Sequence, residues 1–422
     1  MSVYVWGLGK NGQLGLGDSQ NRFVPTLVKL SPKDRPAAIA SGSLHSVILT
    51  QKGDLFVCGC GKHGRLGTGD ETDVDVPVRI TPAKDTKLAK VAAGSWHTCA
   101  ITLMGRLYSW GYNTKHNVLG RDTVLKDHCS PCVVPHFLSI QVETVSCGHN
   151  FTLLCTKDGS AFSWGCGRHG VLGHGSDDCV LEPRKIAALD SIPVKTVSAG
   201  YAHCGLVTRD GRLYMFGKGA DGALGLGIEN MENRPEPTWL QKLTGVEIVD
   251  VSCSVAEHFC HTLAITATGT VYAWGSNYKG KLGTGDKYAR CEPSKIPEKF
   301  FDNQFVMQAS AGGIHSAAIT ESGDVYTWGA GKDGRLGLKD IENKQFSYYT
   351  TRPTKVTELP EDKKAVSSVC EGNFRAAALL VNVAGWLGWR PLLGGSAVRS
   401  VAAAFSAVRR KLDWCFCGCG FI

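Results

Sequence analysis

The sequence predicts an all-β fold, a seven-bladed β-propeller closed by pairing of its N- and C-terminal strands and followed by an atypical C-terminal tail. Three observations carry this expectation. One glycine-rich unit recurs seven times, each copy reads as about four short strands without helical periodicity, and the first and last copies are complementary halves.

The copies are "VYVWGLGKNGQLGLGD" from Val3, "LFVCGCGKHGRLGTGD" from Leu55, "LYSWGYNTKHNVLGRD" from Leu107 and "AFSWGCGRHGVLGHGS" from Ala161. They continue as "LYMFGKGADGALGLGI" from Leu213, "VYAWGSNYKGKLGTGD" from Val271 and "VYTWGAGKDGRLGLKD" from Val325. The aromatic at the second position falls at Tyr4, Phe56, Tyr108, Phe162, Tyr214, Tyr272 and Tyr326, with spacings of 52 to 58 residues. Within a unit, an apolar run such as "HSVILT" ends in the turn "QKGD", and "LFVCG" completes a hairpin. After the glycine loop, a Pro-led segment such as "VPVRITP" and another apolar run such as "KVAAG" supply two more strands.

The glycines read as backbone geometry. Gly7, Gly59, Gly111, Gly165, Gly217, Gly275 and Gly329 follow the strand in every copy. The second loop glycine (Gly9, Gly61, Gly167, Gly219, Gly331) is replaced only by Asn113 and Asn277, which predicts a left-handed backbone there. The loop leucine (Leu14, Leu66, Leu119, Leu172, Leu224, Leu282, Leu336) is expected to pack between blades. "GLGKNG" also matches a dinucleotide fingerprint, but that chemistry needs a helix directly afterwards, and seven copies do not suit one cofactor. No cofactor is expected.

These units resemble the repeat of the regulator of chromosome condensation family over about residues 3–380. The resemblance implies a seven-bladed propeller. The chain enters at "VYVWG" without the "GxxHSxxLT" strand that precedes the other copies, and "EGNFRAAALL" (371–380) is such a strand without its partner. The two are therefore expected to pair, because an unclosed ring leaves bare strand edges. The expected domains are a repeat propeller over 1–380 and a non-repeat tail over 381–422.

Chemistry-bearing residues mostly follow the repeat. His45, His97, His203, His261 and His315 recur once per unit, with Phe151 and Arg375 in the other two. They read as structural, bonding backbone within each blade, rather than as a metal ring. Asp18, Asp70, Asp122, Asp286 and Asp340 read as turn residues bonding their own backbone. Trp6, Trp110, Trp164, Trp274 and Trp328 share one packing position. UV-B photoreception, known in the family, uses clustered tryptophans just before the "GxxH" histidines. Here that position reads Leu44, Trp96, Asn150, Ala202, Cys260, Ile314 and Phe374, so photoreception is not expected. Cys129 and Cys132 in "HCSPC" read as two ordinary cysteines, since the zinc alternative lacks a second Cys pair nearby. No catalytic residue and no metal are expected.

Departures from the repeat point to partner contacts, because function in such folds sits in loops on a rigid scaffold. The third unit has one extra loop residue in "GYNTKHNVLG", which offers Tyr112, Lys115 and His116. The seventh carries "KDIENKQFSYYTTRP" with Phe346, Tyr348 and Tyr349, as interface anchors or as residues tucked against the propeller.

The formal net charge is +8, but Gly385–Ile422 holds five basic residues and one acid, +4, which leaves +4 for the rest. A nearly neutral body argues against a phosphate-gripping surface, and no direct nucleic-acid contact is expected. Seventeen scattered cysteines fit a reducing compartment. With no signal core and no apolar span of membrane length, the expected location is cytoplasm or nucleus. The tail reads as an unfolded extension. Its alternative is a basic amphipathic helix from Ser396 to Leu412 that meets membrane through nearby acylated cysteines. The leading functional expectation is a non-enzymatic protein-interaction scaffold acting through propeller-face loops. The alternative implied by the resemblance is guanine-nucleotide exchange on a Ran-like small GTPase.

Overall fold

In a computed structural model the described residues are 1–83, 86–113, 115–121, 126–339, 348–360, 363–371 and 375–382, the last two stretches as backbone. The chain divides into two units, Met1–Asn382 and Val383–Ile422. The second lies outside the described residues, and so do Asp122, Asp340, Phe346, Phe374 and the expected tail helix. No α-helix occurs among the described residues; the helical turns are short 3₁₀ segments.

The first unit is an all-β propeller whose strands group into seven four-stranded antiparallel sheets. Six use four consecutive strands each. Their opening strands are Pro36–Ser41 (sheet 2), Leu88–Ala93 (sheet 3), Val142–Cys147 (sheet 4), Val194–Ala199 (sheet 5), Ile248–Cys253 (sheet 6) and Val306–Ala311 (sheet 7). Sheet 1 draws on both ends: Ser2–Gly7 pairs with Arg22–Leu27 on one side and Arg375–Asn382 on the other, beyond which lies Lys363–Glu371. Ser2 faces Leu380 and Gly7 faces Arg375, the closing pairing expected from the incomplete end units. The final strand runs to Asn382, just past the expected boundary. The opening strands contact one another in sequence from sheet to sheet and back to Lys363–Glu371, so they line the axis.

Second strands of sheets 2 to 7 are buried along their whole length, as in His45–Thr50, and third strands nearly so, as in Leu55–Gly59. Each sheet is covered on both faces by its neighbours, which is why these strands read as apolar runs rather than alternating ones. Fourth strands form the rim; Val74–Ile80 is largely exposed.

One carbonyl in each glycine loop, from Gln13, Arg65, Val118, Val171, Ala223, Lys281 or Arg335, accepts hydrogen bonds from the following sheet. Val118 O takes Thr152 Oγ1 (2.8 Å) and Trp164 Nε1 (2.8 Å). Ala223 O takes Thr262 Oγ1 (2.9 Å) and Trp274 Nε1 (2.8 Å), and Lys281 O takes Ser316 Oγ (2.8 Å) and Trp328 Nε1 (2.8 Å). Each such hydroxyl then accepts from the histidine of the sheet before: His45 to Thr98 (2.8 Å), His97 to Thr152 (2.9 Å), His203 to Thr262 (2.9 Å) and His261 to Ser316 (2.9 Å). The histidines thus rivet neighbouring sheets through hydroxyls, where a bond to backbone within one blade was expected. The reason is spacing: the hydroxyl residue stands second in the next sheet's second strand, directly across the interface.

Phe151, standing in place of the histidine in sheet 4, faces an interface where the next sheet offers Cys204 instead of a hydroxyl. Both belong to one core cluster, and Cys204 Sγ reaches the equivalent carbonyl, Val171 O, at 3.4 Å.

These imidazoles are fully buried, and desolvation pushes His97 down to about 3, His203 to about 4 and His261 well below its usual value. Folded-state values below the unfolded value near 6.5 mean that the unfolded chain binds more protons between about pH 6.5 and pH 4. The stabilisation is complete above pH 6.5 and is lost as pH falls. Between pH 7 and pH 5 we expect a loss of about 2 kcal/mol for each such histidine. Urea unfolding at pH 7, 6 and 5 checks this, and a flat profile would contradict neutral burial.

The second loop glycine is not left-handed. Gly61, Gly167, Gly219 and Gly331 have φ of −84°, −85°, −86° and −98°. Glycine is required there because a Cβ would lie 2.0 Å from Thr72 O at Gly61 and 1.8 Å from Asp178 O at Gly167. Asn277 (φ −110°) substitutes by bracing the loop, its Oδ1 accepting from Leu282 N at 2.9 Å. Positive φ falls two residues later, at His63, His169, Asp221, Lys279 and Asp333.

Candidate functional site: the glycine-loop face

Because strands alternate in direction, the loop between first and second strands emerges at the same end as the glycine loop. Backbone bonds tie the two: Cys60 N to Leu44 O (2.9 Å), Tyr112 N to Trp96 O (3.0 Å), Cys166 N to Asn150 O (2.8 Å) and Ser276 N to Cys260 O (2.8 Å). The residue before each repeat histidine and the residue after each strand-ending glycine therefore share one face.

On this face five half-buried rings from four sheets touch in series. His63 meets Tyr112 (centroids 5.1 Å) and Trp96 (5.6 Å) edge-on. Trp96 meets His149 at 6.2 Å, and His149 stacks on Tyr201 at 4.0 Å. The arc is anchored from below. Arg65, buried, lies 4.6 Å from the Trp96 ring centroid and donates to Ser95 O (3.0 Å) and Lys62 O (2.8 Å). His63 Nδ1 donates to Asp127 at 2.6 Å. Burial pushes the His149 imidazole down to about 4, so it is neutral at physiological pH, and burial and then Asp127 push the Tyr112 phenol up.

A second cluster continues around the ring. Phe259 stacks on Tyr278 at 4.9 Å, Lys279 Nζ lies over Tyr278 (5.8 Å) and Tyr349 (5.1 Å), and Lys287 Nζ over Tyr349 (5.6 Å). Beneath it Lys281 is buried and donates to Phe259 O; burial pulls its ammonium down to about 8, against Cys260 and Asp221. At the axis His149 and Tyr201 help line a cavity of about 10 Å³, room for one water molecule at most.

The sequence-predicted contact residues divide between distant parts of this face. Tyr112 joins the aromatic arc, Lys115 is exposed, and His116 Nδ1 lies 3.5 Å from Cys179 Sγ. Tyr348 packs against the core cluster of sheet 7, and Tyr349 opens its rim strand under the two lysines. Tyr112 and Tyr349 belong to sheets 3 and 7 and are not brought together. Sequence reading missed His63, His149 and Tyr201. The available signal was register, since His63 stands two residues past the second loop glycine, while His149 and Tyr201 follow the glycine that ends each opening strand. The loop aspartates Asp18, Asp70 and Asp286 accept from Gln20 N (2.9 Å), Thr72 N (3.0 Å) and Tyr288 N (2.9 Å). Cys129 and Cys132 lie on the rim strand His128–Val133.

Two curated relatives cover most of the propeller. The ultraviolet-B receptor UVR8 of Arabidopsis thaliana is 32% identical over 345 residues, 82% of this chain and 76% of the relative. The mitochondrial RCC1 domain-containing protein RUG3 of the same plant is 32% identical over 386 residues, 90% of this chain and 72% of the relative. Among solved structures, Prp20p of Saccharomyces cerevisiae superposes with a TM-score of 0.78 at 23% identity, covering 98% of this chain and 95% of that one. Human WBSCR16 gives 0.77 at 23%, covering 90% and 98%, and both show the same fold. The RCC1-like domain model matches residues 2–377, a span that holds the repeat loops and the riveted sheets and reaches into the closing strand: the chain belongs to the RCC1-like domain family.

Proposed function

We propose that the chain is a non-enzymatic protein-interaction module, its seven sheets serving as the blades of a rigid platform whose glycine-loop face binds a protein partner. The observation that carries this is the arc of His63, Tyr112, Trp96, His149 and Tyr201, half-exposed rings held by Arg65 and Asp127. Large aromatics and arginine on a preorganised surface are the residues that anchor protein interfaces at low entropy cost. The axial cavity is small for a substrate, which also favours a surface reading over catalysis. With one tryptophan, Trp96, in the row before the repeat histidines, no coupled set is available for ultraviolet absorption, so photoreception is not proposed.

The competing reading is nucleotide exchange on a Ran-like GTPase, favoured by the one-residue expansion of the third loop beside Tyr112. Release of labelled GDP from Ran and a panel of related GTPases separates the two. The module reading expects no acceleration by catalytic amounts of the full chain. It further expects that partners captured with the wild type are lost with Trp96→Ala/Tyr201→Ala and kept with Met104→Ala, which lies on the opposite end. Retention by the double variant would refute the face assignment. The proposed location is cytoplasm or nucleus, supported by the scatter of seventeen cysteines along the chain. No described helix is long and apolar enough to cross a membrane.

A further inference from the structure

Two groups among the described residues bring thiols and an imidazole within 4.8 Å of one another. His97, Cys99 and Cys147 are buried, and their polar atoms are used inside the core: His97 Nε2 bonds Thr152 and Cys147 Sγ bonds Ala92 O. The second group, His116, Cys166 and Cys179, is different. It lies on the glycine-loop face, Cys179 is exposed and the other two are half-buried, so an ion can reach it.

We propose that His116 Nδ1, Cys166 Sγ and Cys179 Sγ form a binding site for one zinc ion, held between sheets 3 and 4 with a fourth position open to solvent. A tetrahedral ion with Zn–S near 2.3 Å and Zn–N near 2.05 Å sets its sulfur–nitrogen edges at about 3.6 Å and its sulfur–sulfur edge at about 3.8 Å. His116 Nδ1 and Cys179 Sγ stand 3.5 Å apart, already at that edge length, and Cys166 Sγ lies within 4.8 Å of both. Thiolate with imidazole is the donor set that selects zinc over calcium or magnesium.

The ligands are placed by backbone that does not depend on an ion. The loop bearing His116 is pinned to sheet 4 at the next two residues. Asn117 Nδ2 donates to Leu181 O (2.6 Å), and Val118 O accepts from Thr152 and Trp164. Cys166 follows the positive-φ Gly165 and is tied through its N–H to Asn150 O. Gly167 packs so tightly on Asp178 that the segments carrying Cys166 and Cys179 are held side by side. Binding releases two thiol protons to the buffer and leaves the imidazole Nε2–H in place, with no change of oxidation state.

The test uses the reduced full chain and cobalt(II) as a spectroscopic probe for zinc. One equivalent should give a thiolate-to-cobalt charge-transfer band in the near ultraviolet with visible bands of tetrahedral cobalt, and zinc should displace both. Cys179→Ser and His116→Gln should weaken cobalt binding by more than about a hundredfold, since even an outer-shell loss costs about 10–100-fold. Far-ultraviolet circular dichroism should show them folded. A Cys132→Ser chain and a chain with serine at Cys415, Cys417 and Cys419 should keep the band. The proposal is overturned if the wild type gives no charge-transfer band, or if the band survives Cys179→Ser and His116→Gln.

Discussion

A chain ending at residue 362 is expected to have no cooperative unfolding transition, whereas one ending at residue 382 keeps it. The missing segment supplies both Arg375–Asn382, paired along the whole of Ser2–Gly7, and Lys363–Glu371, the axial strand next to sheets 7 and 2. Without them Val3, Val5 and Trp6, all buried, belong to a two-stranded hairpin, which is marginal in water. Ser2–Gly7 also becomes an open sheet edge, and the opening strands of sheets 7 and 2 lose the strand between them. The loss should exceed about 5 kcal/mol, which is the lower end of an ordinary domain's whole stability. Calorimetry with size-exclusion chromatography checks it; a single sharp transition in the shorter chain would mean that closure is dispensable.

The second large effect concerns the riveted interfaces. Thr262→Val removes the acceptor of His203 Nε2–H and one donor to Ala223 O. Leaving a buried N–H without a partner should cost about 1–3 kcal/mol. The Phe151–Cys204 interface shows an alternative that needs no hydroxyl. Combining His203→Phe with Thr262→Cys copies it, and the double variant should be more stable than the sum of the single changes by about 1–3 kcal/mol. Urea denaturation of the four corners of this cycle measures the coupling. Additive costs would show that histidine and hydroxyl act independently.

The sheets and their closure were legible because they rest on local rules: a period near 54 residues, turn glycines, and two half-units that complete each other. The reasons behind single positions were less so. A glycine forced by φ and a glycine forced by a carbonyl 1.8 Å away look identical in sequence, and Asn at Asn277 pointed to the wrong one. The repeat histidines were seen as structural, but their partners lie more than fifty residues away, one unit on. The same holds for the face. His116 and Cys179 are 63 residues apart, and only the lateral contact of two sheets brings them together. Tyr112 was found because an extra loop residue marked its unit, whereas His149 and Tyr201 sit in loops of ordinary length.

Sheet 1, built from both ends of the chain, also sets a schedule for synthesis. Sheets 2 to 7 can each form as their four strands leave the ribosome, but Ser2–Gly7 must wait for a partner that begins at Arg375. At roughly 5–20 residues per second that wait lasts on the order of 20–70 s. Throughout it the nascent arc carries an unsatisfied strand at its leading end, so the protein is most vulnerable to mispairing during its own translation, and a neighbouring ribosome's product offers the same complementary strand.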